Sequence, residues 1–193
     1  MPNSRVTLIS PALSPALREA RFDDGSGELD AAGVRRARSA AAGLPGADRA
    51  AASPSTRCRR TAEALGLSAP EAPALAALDV GRWRGRSLAE VTAAEPDAVA
   101  SWLADPALAP HGGETVRGLC DRAGAWLEDT ARAPGRVIAV VEPDVVRALL
   151  VRALGLPEPA FWRLDVRPLT AVDLSGRAGR WNLQVGTPLG DAP

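Results

Sequence analysis

Residues 136–155, RVIAVVEPDVVRALLVRALG, decide the fold. Val137 to Val141 form an unbroken apolar run rich in β-branched side chains, the pattern of a strand buried on both faces near the centre of a sheet. Glu142, Pro143 and Asp144 end the run. From Val145 to Leu154 the apolar residues recur at helical spacing. A strand that enters a helix through a sharp turn is the repeating unit of α/β proteins, and the carboxyl end of such a strand is where they keep catalytic side chains. Two acids and a proline at that turn are the feature to be explained.

The same alternation extends outward from this unit. Val6 to Ile9 reads as a strand, followed by the proline-punctuated loop SPALSPALREARFDDGSGE. Asp30 is placed to cap a helix from Ala31 to about Gly43. Ala50 to Ala52 is a short strand, and SPSTRCRRTAEALGL starts a helix near Ser55 and stops it at Gly66. Helices are expected from Ser87 to Ala94, interrupted by Pro96, and from Ala98 to Leu103. PHGGET is a glycine-rich turn leading into a helix with Val116, Leu119, Ala123 and Leu127 on one face. TAVDL and WNLQV read as the last two strands. The pattern predicts an α/β, three-layer fold with a mostly parallel central sheet flanked by helices. One domain is expected over 1–186, with 187–193 as a loose, Gly/Pro-rich tail.

Composition narrows the function classes. The 23 acidic residues balance 23 basic ones, all of them arginine, so no basic surplus exists to neutralise a nucleic-acid backbone. No apolar run is long enough to cross a membrane and no signal-peptide core opens the chain, so no membrane partner and a cytoplasmic location are expected. Cys58 and Cys120 are read as reduced thiols on helices. The acids and the one histidine show no metal-ligand spacing, so neither a metal nor another cofactor is expected.

Five stretches together resemble the histidine phosphatase (phosphoglycerate mutase-like) superfamily: ELDAAGVRRA, SPSTRCRRTAEAL, LDVGRWRG, GGET and RVIAVV with VVRALL. They come in the family's order and cover about Val6 to Val185. The resemblance implies a phosphoglycerate mutase-like fold and a phosphohistidine reaction. In that family a histidine within an arginine-histidine-glycine triplet after the first strand attacks phosphorus, and a second histidine after the central strand helps to bind the phosphoryl group. Here those places read Ser10-Pro11-Ala12 and Pro143, and the family's acid before the GRWRG turn falls at Ala77. The helix arginine is kept as Arg57.

Chemistry gives these departures their meaning. Phosphohistidine transfer needs an imidazole nitrogen, and proline has neither a nucleophile nor a side-chain donor. The chain has one histidine, His111, so no two-histidine site can form. Glu142 and Asp144 beside the old pocket would repel phosphate. The expectation is a degenerate member without phosphohistidine chemistry that binds a small anionic or polar ligand, or a protein partner. A homodimer is one assembly that the resemblance allows.

Two further readings stay open. An enzyme could reuse the pocket for non-phosphoryl acid/base chemistry, with Glu142 or Asp144 reacting and Arg57 orienting an anion. A residual phosphatase would have to use His111. Candidate ligand contacts are Arg57, Ser10, His111 and Glu114. Blander roles compete with each of them: an ion pair from Arg57 to Glu142 or Asp144, helix capping by either acid with Pro143 in the first turn, and a solvent-exposed loop position for His111. Trp126 and Trp181 are read as core, Trp83 and Trp102 as pocket or lid. No motif places a histidine base beside Ser10, Ser14 or Ser53, so a serine-hydrolase reading has almost no support in the sequence.

Overall fold

A computed structural model describes residues 3–22, 27–177 and 179–185, so the expected tail at 187–193 lies outside the described residues. Strands β1 (Ser4–Ile9), β2 (Arg49–Ala52), β3 (Arg136–Val140), β4 (Ala171–Arg177) and β5 (Arg180–Gln184) form one sheet in the order β2-β3-β1-β4-β5. β3 pairs in parallel with β1 and β2, whereas β4 is antiparallel to both β1 and β5. The sheet is therefore mixed: four strands share a direction and β4 opposes them. The connection from β4 to β5 is short enough for a hairpin, and a hairpin must reverse the chain.

The helices are α1 (Pro15–Arg18), α2 (Ala31–Ala40), α3 (Thr56–Ala64), α4 (Leu88–Ala94), α5 (Pro96–Ala104), α6 (Val116–Arg132) and α7 (Pro143–Ala153). Strand alternation divides the core into two layers. Ile138 and Val140 of β3 face Ala37, Cys58, Ala62 and Leu65 from α2 and α3. Val137 and Ala139 face the larger cluster, with Leu119 and Leu127 of α6, Leu149 of α7 and Trp181 of β5. The expected face of α6 is buried along its whole length. Side chains close the exposed amides at helix starts: Asp30 Oδ1 accepts from Gly33 N, Ser55 Oγ from Cys58 N and Thr115 Oγ1 from Gly118 N.

Local expectations change in two places. The proline-punctuated loop contains α1, capped by Ser14 with Pro15 in its first turn. Pro96 opens α5 rather than interrupting α4, because a first-turn proline lacks only an N–H that would have no partner there anyway.

Candidate functional site

The loops after β1 and β3 emerge side by side because those strands are parallel neighbours. They meet the start of α3 at the carboxyl edge of the sheet, where α/β folds place their ligands. The loop after β1 is locked. The Ser10 hydroxyl donates to the Arg167 carbonyl at 2.5 Å, and its oxygen accepts from Thr170 N at 3.0 Å. The Pro11 carbonyl accepts from Leu169 N, and Ala12 N donates to Thr61 Oγ1 at 3.0 Å. Ser10 and Pro11 are buried and neither contributes to the cavity wall.

After β3 the chain turns Glu142 inward. Glu142 stands at the N-cap position of α7, yet its side chain makes no capping bond, so the capping role expected for it is corrected. It is 1% exposed and receives the Arg57 guanidinium instead. Arg57 Nε donates to both carboxylate oxygens at 2.7 and 2.8 Å, and Nη2 lies 2.5 Å from Oε2. Ser55 Oγ donates to Oε1 at 2.6 Å, and the Cys58 thiol lies 3.5 Å from the same oxygen. Burial, followed by the Glu142 charge, raises the Cys58 thiol well above its ordinary range, and burial pushes Cys120 up to about 11. Neither thiol is a ready nucleophile.

Asp144, two residues on, points the other way. Its oxygens accept single backbone bonds from Leu78 N at 2.6 Å and its neighbour Val145 N at 2.8 Å. It lines a cavity of about 500 Å³ whose wall also includes Arg57, Ala77, Pro143, Trp102 and Trp162. Burial, reinforced by the negative Glu142, pushes the Asp144 carboxyl up to about 6; the two backbone bonds and Arg57 act in the opposite sense. Arg147, Phe161 and Phe22 also belong to this wall. No motif marked these three, although Arg147 stands one helical turn after Asp144 and so shares its side of α7.

His111 is not a solvent-exposed loop residue: it is 1% exposed. Gly81 and Gly113 cause this, because the loops that carry them cross so closely that a Cβ on Gly113 would lie 2.0 Å from the Asp79 carbonyl oxygen. The imidazole packs against Trp83 and Trp102 at centroid distances of 5.0 and 5.8 Å. Its Nδ1 accepts from Gly113 N at 3.1 Å, which leaves the proton on Nε2, where no partner exists among the described residues. Burial lowers its pKa, and His111 does not line the cavity.

Glu114 holds Arg122 by a fork at 3.1 and 2.7 Å, while Arg122 also donates to the carbonyls of Ala74 and Ala76. That network braces the cavity-lining residues Ala76 and Ala77 from behind, while Glu114 and Arg122 themselves are not part of the cavity wall. Trp102 borders the cavity, Trp83 is fully buried, and Trp126 is only partly buried against the core. Arg57, Ala77, Pro143 and Asp144 therefore converge on one cavity, whereas Ser10, Pro11, His111, Glu114 and Glu142 do not face it.

Comparison with known proteins supplies the family. Residues 15–186 match the histidine phosphatase superfamily (branch 1). Glucosyl-3-phosphoglycerate phosphatase of Mycolicibacterium vanbaalenii is 29% identical over 129 residues, covering 53% of this chain and 57% of that relative, little more than half its length. A mycobacterial glucosyl-3-phosphoglycerate phosphatase complexed with VO3 superposes with a TM-score of 0.84 at 24% identity, over 94% of this chain and 98% of that one. A phosphoserine phosphatase variant from Entamoeba histolytica in complex with phosphoserine gives 0.85 at 15% identity, over 94% and 95% of the two chains. At these identities the structures share the fold.

Proposed function

The chain belongs to the histidine phosphatase superfamily (branch 1), and from that premise we propose that this member has lost phosphohistidine chemistry and works by binding, taking a small anionic or polar ligand in the cavity or engaging a protein partner. The observation that carries this reading is the Arg57–Glu142 pair. A carboxylate held by a guanidinium fork occupies the donors that an incoming phosphoryl group would need. Displacing it would strand a buried carboxylate, which costs several kcal/mol. Pro11 and Pro143, at the two places where the resemblance expects histidine, support the same reading, and so does the seclusion of His111 from the cavity. The two free, buried cysteines accord with a cytoplasmic setting.

Turnover of an aryl phosphate and of glucosyl-3-phosphoglycerate tests the reading. Rates at the buffer level are expected for both. Hydrolysis above buffer that disappears in Arg57→Ala or His111→Ala would overturn it.

Asp144 favours a second reading, an enzyme using non-phosphoryl acid/base chemistry. Its carboxyl is pushed up to about 6 and lies on the wall that Arg57 shares. Glu142 is the poorer candidate for that role, being sealed by its ion pair. A reaction with a pH midpoint near 6 that is lost in Asp144→Asn would establish this alternative.

A further inference from the structure

The cavity wall has four arginines, and three are matched by carboxylates: Arg57 by Glu142, Arg84 by Asp79, and Arg21 by Glu19 and Glu90. Arg147 is different. Its Nε donates to the Leu164 carbonyl at 2.7 Å and its guanidinium carbon lies 5.8 Å from the Phe161 ring centre. Among the described residues it forms no ion pair, and its two terminal nitrogens make no hydrogen bond. Asp144 is the converse case: among the described residues it forms no ion pair, Arg57 acting on it only as a nearby charge, and it accepts one backbone bond at each oxygen, which leaves each oxygen able to accept another donor.

The two unmatched charges stand three residues apart on α7, a spacing that places their Cβ atoms about 5–6 Å from each other. Arg147 is engaged by the Leu164 carbonyl and the Phe161 ring, and no ion pair joins it to Asp144 among the described residues. Beside them lies an apolar wall: Trp102 and Trp162 pack edge to face at 4.5 Å, and Phe22 is 6.0 Å from Trp102. A volume of about 500 Å³ holds a small metabolite.

We infer that this cavity binds a zwitterion with an apolar body, an α-amino acid with an aromatic or large aliphatic side chain, its ammonium on Asp144 and its carboxylate on Arg147. The two charges of such a ligand sit on one carbon, so they fit a pair of protein charges one helical turn apart. The side chain then covers Trp102 and Trp162 and removes apolar surface from water. A phosphate monoester offers no cation to Asp144 and finds Arg57 already engaged. This inference rests on the binding reading above and gives it a ligand class.

Titration calorimetry with L-phenylalanine, L-tryptophan and L-leucine tests it, together with phenethylamine and 3-phenylpropionate, which lack one charge each. At least one amino acid is expected to bind, with each truncated analogue weaker by tenfold or more. Asp144→Ser should weaken L-phenylalanine by at least tenfold while leaving 3-phenylpropionate unchanged. Arg147→Gln should do the reverse, sparing phenethylamine, with Arg147→Lys recovering part of the loss; melting curves identify any variant that has not folded. No binding by any of the three amino acids, or binding indifferent to both positions, would overturn the inference. Phosphate-ester turnover, measured on the same samples, would overturn the degenerate reading alone if amino-acid binding persisted.

Discussion

Glu142 and Asp144 are two residues apart in one turn, and the fold treats them oppositely. Glu142 is sealed under a guanidinium fork and a serine hydroxyl; Asp144 is left in a cavity with backbone amides for company. One acid serves the architecture and the other remains available to a ligand. The lesson is that two acids in one turn can have opposite surroundings: a guanidinium fork closes over one carboxylate, and a cavity opens beside the other.

The largest expected effect breaks the sealed side of this comparison. Arg57→Ala leaves Glu142 buried without its cation and should cost roughly 3–5 kcal/mol, read as a fall in the urea midpoint. The double variant Arg57→Met with Glu142→Leu removes both charges and should recover most of that loss. A double variant as unstable as the single one would show that the pair is not the cause.

The open side is sharpened by pH. The Asp144 carboxyl is pushed up to about 6 from an ordinary 3.8, so the folded chain keeps a proton that the unfolded chain has released between those values. Stability from this group is therefore highest at low pH, declines as pH rises from about 4 to 6, and is flat above. The shift corresponds to roughly 3 kcal/mol, reduced to about 2 by the solvent in the cavity. The stability difference between wild type and Asp144→Ser, followed by urea unfolding from pH 4 to 7, should decline by that amount. A difference independent of pH would mean that Asp144 is not desolvated.

Ser55→Ala touches the sealed side more gently. It removes one donor to Glu142 and the cap of α3, and should lower stability by about 1–2 kcal/mol, read as a fall in the urea midpoint. An unchanged midpoint would mean that the Ser55 hydroxyl supports neither Glu142 nor the helix start.

Much of the fold was legible because hydrophobic periodicity is a local signal. The β3–α7 unit, the apolar face of α6 and the caps at Asp30 and Ser55 follow from residues close in sequence. The antiparallel insertion of β4 was not legible, since five-residue apolar runs carry no direction. The site divided along the same line. That the chain has a single histidine could be read directly, because it is a property of composition. The burial of His111 depends on two loops crossing at Gly81 and Gly113, a contact 32 residues long in sequence. The sidedness of Glu142 and Asp144 depends on which neighbour, Arg57 or the Leu78 amide, waits on each side of the turn. Arg147 leaves no mark in the sequence, because an arginine on an amphipathic helix gives no sign of lacking a partner.

The central claim is that Arg57 is already satisfied and cannot receive a phosphoryl group. Titration of the wild-type protein with orthovanadate, followed by calorimetry, tests it most directly. The account predicts no binding heat above dilution. Saturable micromolar binding that Arg57→Ala abolishes would contradict it and return the chain to the working phosphatases of its family.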